Sequence, residues 1–279
     1  MTLRAEALCI DIGRHRIVED VHLDITPGQL TGVVGANGAG KSTLLRALAG
    51  ELSPSRGSVT MDGIVLGRWS RAALARVRAV LRQSSDVAFP MSCLEVALLG
   101  RLPHNDGFDS LGDHAIVRAT LRSTGVAHLA ERSYASLSGG EKQRVQLARA
   151  LAQVFEARET AGRYLLLDEP TSALDLAHQH VCLRLARRAA ARGVGVVAVL
   201  HDLTLAARYA DRVAVLQRGR VAACGEPQAV LTPDLVARVF GVTSRVMVHP
   251  RSRRPILLLG RPLPRPRSRN RPVDRAPRI

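Results

Sequence analysis

The sequence predicts an α/β protein on a mostly parallel sheet, with short antiparallel strands at the N-terminus and helices between its two halves. Three observations carry this. Apolar and polar residues alternate through 3–35, the period of strands, with turns at Gly13 and Pro27-Gly28. From Ser138 onward apolar runs alternate with helix-period segments, an order that gives parallel strands covered by helices on both faces. Between them Gly35-Ala36-Asn37-Gly38-Ala39-Gly40-Lys41-Ser42 matches in full the phosphate-binding pattern G-x-x-x-x-G-K-[ST].

The elements follow in order. Ala7, Cys9 and Ile17, then Val21, Leu23 and Ile25, then the run from Leu30 to Val34 mark strands. Gly35 opens the phosphate loop, and 42–49 reads as a helix ended by Gly50. Further strands are expected in 51–66 around Asp62-Gly63, and a short basic helix over 71–78. Pro90, Pro103 and the turn Asn105-Asp106-Gly107 break up 84–135, with helices near 92–101, 112–124 and 126–131. Then come helix 140–154, strand 163–168, helix 176–191, strand 194–200, helix 203–210 and strand 212–217. Residues 227–239 read as a last helix, and 247–259 as a strand or two. Residues 261–279 are Arg, Pro, Ser and Asn with little to bury, and disorder is expected there.

At 279 residues the chain suffices for one large domain or two small ones. No apolar stretch approaches the roughly 18 residues of a membrane span. Met1-Thr2-Leu3-Arg4-Ala5-Glu6 has no apolar signal core, so nothing points to export. Cys9, Cys93, Cys182 and Cys224 form no C-x-x-C pair, which suggests a reducing compartment and neither a zinc site nor a disulfide framework. The net charge of +16 is uneven, with ten Arg against one Asp in 251–279. The only lysines are Lys41 and Lys142. The basicity therefore marks a tail on a modestly charged body.

The chemistry-bearing residues explain themselves physically. Glycines let the loop's N–H groups turn toward phosphate oxygens, and the following helix points its positive end at them. Lys41 reaches the β- and γ-phosphates, and Ser42 offers a hydroxyl to Mg²⁺. The apolar run Tyr164-Leu165-Leu166-Leu167 ends in Asp168-Glu169, as a fully buried parallel strand would. Asp168 suits Mg²⁺ held through water, and Glu169 suits a general base. Ser138-Gly139-Gly140-Glu141 has the spacing of a helix-capping box, and a glycine-rich helix start is also an anion site.

The order of phosphate loop, Leu137-Ser138-Gly139-Gly140-Glu141 and a strand ending in Asp168-Glu169 resembles the ABC ATPase family, from about residue 3 to 240. The resemblance implies an ABC-type P-loop NTPase, with a mostly parallel core sheet, an N-terminal antiparallel β part and an all-helical insert. Its divisions fall at 1–83 (β part and P-loop half), 84–137 (helical subdomain, signature loop at its end), 138–240 (second half of the core), 241–260 (C-terminal extension) and 261–279 (tail). It implies ATP and Mg²⁺, with nucleotide contacts from Gly35 through Ser42, from Thr43, and from Ser138, Gly139 and Gly140 of a second subunit. A homodimer would close head to tail around two ATP. The catalytic residues implied are Glu169, the switch histidine His201 and the Q-loop glutamine Gln83, with Ser42, Gln83 and Asp168 at the metal. Two departures stand out. Arg82 replaces the usual proline before Gln83, and 1–34 lack the aromatic that stacks on adenine. His15 or Arg16 could stack instead, or form a solvated turn.

Residues 88–104 are similar to the region after the Q-loop in ATP-binding subunits of importers for haem, iron–siderophore complexes and cobalamin. The opening Ala88-Phe89-Pro90 and the ending Gly100-Arg101-Leu102-Pro103-His104 look most like the hemin branch, although Met91 and Cys93 depart from it. The stretch from Ser172 to Gln179 resembles it too. The resemblance implies an ATP-hydrolysing subunit powering hemin import through integral membrane permease subunits, peripheral at the cytoplasmic face of the bacterial inner membrane. A periplasmic hemin-binding protein would be an indirect partner. Ferric siderophore or cobalamin import is the alternative. A soluble ABC ATPase on nucleic acid has only the basic tail in its favour, and no nucleic-acid partner is expected. Residues 88–104 should dock the permease, with Leu98 and Arg101 as contacts. His178 and His180 are expected to be structural and not haem ligands.

Overall fold

The structure is a computed structural model that describes residues 2–83, 89–104, 110–155, 162–251 and 253–263. β1 (Leu3–Ile12) and β2 (His15–Ile25) form an antiparallel hairpin whose buried residues alternate with exposed ones. β3 (Leu30–Gly35) leaves it and is buried at every position, as a strand covered on both faces must be. It feeds α1 (Lys41–Leu48) through the phosphate loop. β4 (Arg56–Met61) and β5 (Ile64–Val65) return to the N-terminal sheet, whose order is β2-β1-β4-β5.

α2 (Arg71–Val77) runs directly into β6 (Arg78–Leu81), a strand the sequence pattern did not announce. No turn residue separates the two, and four residues are too few for a periodicity to register. α3 (Cys93–Leu98) and α4 (Leu111–Ser123) build the helical region, each started by a capping box, at Ser92-Glu95 and Ser110-Asp113. α5 (Gly139–Val154) follows. One of its faces gives Val145, Ala148 and Ala152 to the helical core, with Val96, Val117 and Leu121. The other gives Leu147, Leu151 and Val154 to the core beneath the large sheet.

β7 (Arg163–Asp168), α6 (Leu176–Ala191), β8 (Val194–Val199), α7 (Leu203–Tyr209) and β9 (Arg212–Gln217) complete the alternating half. β10 (Arg220–Gly225) was also unannounced. It turns back on β9 through Arg218 and Gly219, both at positive φ (50° and 80°), the geometry of a two-residue type I′ hairpin. The large sheet has the order β10-β9-β3-β8-β7-β6, parallel except for β10. The expected single helix over 227–239 is two, α8 (Pro227–Val230) and α9 (Pro233–Phe240). Leu231 leaves helical geometry and Thr232 caps α9 ahead of Pro233, which fits the first turn of a helix but not its interior. β11 (Val242–Val248) and β12 (Pro255–Pro262) form a hairpin that buries Leu257 against the main core. Arg261 and Pro262, expected in a disordered tail, belong to β12; residues 264–279 lie outside the described residues.

Among the described residues no helix is long and apolar enough to cross a membrane. All four cysteines are free thiols.

Candidate active site

Sheet order builds the site. β3, β8, β7 and β6 are adjacent and parallel, so their C-terminal ends meet at one edge. The phosphate loop leaves β3, His201 follows β8, Asp168 and Glu169 end β7, and Gln83 follows β6. Open α/β sheets place ligand sites at such an edge.

In the loop, Ala36, Asn37 and Gly38 are exposed, while Gly35, Ala39, Gly40 and Lys41 are buried and Ser42 and Thr43 half-buried. Two positions demand glycine: a Cβ on Gly35 would strike the Leu216 carbonyl oxygen, and Gly40 is constrained in both space and backbone. Its φ is 98°, and a Cβ there would lie 2.8 Å from the Ile17 carbonyl oxygen. Lys41 Nζ donates to the carbonyls of Gly35 (2.9 Å) and Ala36 (3.0 Å). Burial holds its ammonium below the usual lysine range, against the pull of the Glu169 and Asp168 carboxylates. Those two carbonyl hydrogen bonds are ones that phosphate oxygens could replace.

Ser42 Oγ donates to Asp168 Oδ1 at 2.9 Å. Burial pushes the Asp168 carboxyl up; the Ser42 hydrogen bond opposes this and nearby Glu169 adds to it. These two oxygens fit Mg²⁺, a hard cation taking one or two protein oxygens with phosphate and water. No cluster of three or more His, Cys, Asp or Glu suited to a metal exists among the described residues.

Glu169 is held on both carboxylate oxygens. Gln83 Nε2 donates to Oε2 at 2.8 Å, and His201 Nε2 lies 2.6 Å from Oε1. Its φ of 49° is unusual for a non-glycine residue, and such strain collects at functional sites. The following turn sustains it. The Glu169 carbonyl accepts from Ser172 N (3.2 Å), Ser172 Oγ (3.0 Å) and Gln143 Nε2 (3.3 Å). Gln143 was not singled out in the sequence, and Ser172 entered only as part of the stretch to Gln179, with no role of its own. Asp202, next to His201 in the sequence, had no role assigned to it. Its Oδ1 accepts from Thr204 N and Leu205 N, capping α7 behind His201, and an aspartate between a buried strand and a helix was the available signal. Arg82, where proline was expected, ion-pairs with Glu51 at 3.0 Å and so ties the Gln83 segment to the turn after α1.

Ser138, Gly139 and Gly140 stand apart from this cluster. Ser138 caps α5 reciprocally with Glu141: its Oγ and backbone N each lie 2.8 Å from Glu141 Oε2. Ser138 and Gly139 are exposed, and no hydrogen bond among the described residues joins them to the phosphate loop. Near the N-terminal hairpin turn, Arg16 pairs with Asp11 at 2.9 Å and His15 is exposed.

The profile of a family described as ABC transporter matches residues 18–172. The chain belongs to the ABC transporter family. It is 52% identical over 256 residues to the hemin import ATP-binding protein HmuV of Gloeobacter violaceus, covering 92% of this chain and 93% of that one. With its namesake in Myxococcus xanthus the identity is 50% over 258 residues, with coverage of 92% and 97%. Among solved structures, cbiO1 of Clostridium perfringens, part of the ABC transporter complex cbiONQ, is 27% identical. It superposes with a TM-score of 0.69 over 85% of this chain and 92% of that one. An ATP binding subunit of an ABC transporter, 24% identical, shares the fold at a TM-score of 0.72 over 82% and 92%. This ABC transporter subunit is accordingly an ATP-binding ATPase.

The permease-facing expectation needs correction at two positions. Arg101 is 6% exposed. Its Nε lies 2.6 Å from Asp113 Oδ1, and its Nη1 donates to the Ala152 carbonyl at 2.8 Å. Leu98 is 7% exposed and packs in the helical core. Both hold the helical region together. The large apolar side chains of 89–104 that do face outward include Phe89 (74% exposed) and Leu102 (59%).

Proposed function

We propose that this chain powers hemin import. Two copies close head to tail, each phosphate loop holding an ATP against Ser138, Gly139 and Gly140 of the other copy. The observation that carries the chemistry is Glu169, gripped by Gln83 and His201 beside the Ser42–Asp168 pair. The cargo is supported by the relatives at 50–52% identity, which are named for hemin import.

Gln83 and His201 each take one lone pair of a Glu169 oxygen, so the carboxylate is held in place with acceptor sites left for a water. His201, its side chain about half exposed, can turn toward the γ-phosphate. Glu169 then accepts the water's proton as the water oxygen bonds to the γ-phosphorus and the bond from that phosphorus to the bridging β-phosphate oxygen breaks, releasing ADP and phosphate. Mg²⁺, when bound, supplies charge neutralisation on the phosphates; Ser42, Asp168 and Gln83 would hold it. Lys41 moves from the Gly35 and Ala36 carbonyls to phosphate. Asn37, Gly38 and Thr43 complete the cradle with the loop's N–H groups.

The permease is engaged at the inner face of the bacterial membrane by the outward side chains Phe89 and Leu102, and a periplasmic hemin-binding protein delivers cargo to it. The divisions at 83, 137, 240 and 260 belong to the same reading, with α5 serving both halves. The experiment is deletion of the gene followed by growth on hemin as sole iron source. Loss of growth, restored by the parent chain but not by Lys41→Ala, is expected. Unchanged hemin use overturns the cargo and leaves a siderophore or cobalamin to be tried.

A further inference from the structure

We propose that Arg144, His178 and Asp175 are positioning residues that lock the signature loop to the turn after Glu169, so that both meet the partner subunit's ATP site as one unit. This rests on the head-to-tail reading above.

Arg144 sits on α5 just past the signature loop. Its Nε donates to the Gly140 carbonyl at 3.4 Å, and its Nη1 lies 3.3 Å from the Gly125 carbonyl and 3.0 Å from His178 Nε2. His178 lies in the first turn of α6. Its Nδ1 is 2.8 and 2.9 Å from the two Asp175 carboxylate oxygens, and its backbone N donates to Asp175 Oδ1 at 2.9 Å. Asp175 is the N-cap of α6, at the end of the turn that begins at Glu169.

Hydrogen-bond chemistry fixes the ring's state. A guanidinium has donors only, so His178 Nε2 accepts from Arg144. The ring proton is therefore on Nδ1 and is donated to Asp175. A neutral imidazole thus bridges a cation on one helix and an anion at the start of another. The Asp175 carboxyl is held below the usual range by the His178 backbone N–H and then by its ring. The two loops also touch directly: a Cβ on Gly140 would lie 3.0 Å from the Ala173 carbonyl oxygen.

The cluster does not hold a core together. Asp175 is 66% exposed on its side chain and His178 35%. Ion pairs so placed contribute little to stability. What the cluster fixes is the spacing between Gly140 and Asp175. In a head-to-tail dimer an error in that spacing moves donors away from the partner's γ-phosphate, and small misplacements of that kind are costly in rate.

The test uses the full chain. His178→Leu should lower kcat ~10- to 100-fold, the scale of a positioning defect, with ATP affinity and melting temperature unchanged. His178→Gln, whose amide donates to Asp175 and accepts from Arg144, should restore turnover. Arg144→Met combined with His178→Leu should be no slower than either alone, because the two act as one unit. Ser138→Arg serves as the control. If it is inactive while His178→Leu is as fast as the parent, the cluster has no positioning role. Additive losses in the double variant, or no rescue by glutamine, also overturn the inference, as does a kcat loss that follows a fall in melting temperature. An active Ser138→Arg overturns the sandwich itself.

Discussion

Glu169→Gln isolates the general base with the least disturbance. A carboxylate offers two acceptor oxygens and a carboxamide one. Gln83 and His201 each occupy one oxygen now, at 2.8 and 2.6 Å. The variant keeps one of these partners and turns an N–H toward the other. Losing a hydrogen bond to a charged group costs about 1.5–3 kcal/mol in the resting state. That loss is local, because the Lys41 and Ser42 contacts are made to other groups. ATP affinity should therefore stay within a factor of ~3, uniform binding being untouched. Turnover should fall at least ~100-fold, the lower end for losing a general base, or about 2.7 kcal/mol of barrier. Single-turnover phosphate release measures the chemical step, and size exclusion with ATP should reveal an accumulating dimer. Turnover within ~3-fold of the parent would refute the assignment of Glu169.

Arg101→Glu should cost ~3–5 kcal/mol in urea unfolding, the scale for leaving a buried charge without its partner. Phe89→Asp and Leu102→Asp should leave stability and basal ATPase intact and abolish hemin uptake. Asp168→Asn tests the pH linkage. Because burial raises this carboxyl, its protonated form favours the fold below the ordinary carboxylate range, and that advantage is lost as pH rises through the raised value. The asparagine variant should therefore melt higher than the parent at about pH 7.5, by a margin that closes as pH falls below the ordinary carboxylate range, where the parent's carboxyl is protonated in both folded and unfolded states. An unchanged or lowered melting temperature at neutral pH would contradict the burial argument. Gly195→Ala should destabilise by ~1–3 kcal/mol through overpacking, since the new Cβ would lie 2.7 Å from the fully buried Tyr164 ring.

Local pattern and local stereochemistry made much of this chain readable from its residues alone. β7, α6 and β9 fall where their apolar runs and turn residues put them, and β8 and α7 end one residue earlier than expected. The phosphate loop was legible because its glycines are demanded by its own backbone, as the φ of 98° at Gly40 shows. Tertiary structure decided the rest. β6 and β10 exist because neighbouring strands offer them hydrogen bonds, and short edge strands carry little pattern of their own. Arg101 looked like a surface cation until Asp113 and the Ala152 carbonyl were brought around it. Gln83 and Glu169 are 86 residues apart in sequence, and no periodicity links them. They meet at His201 because β6, β7 and β8 lie side by side in parallel. Sheet order is set by burial summed over the whole core, a property that no stretch of sequence holds alone.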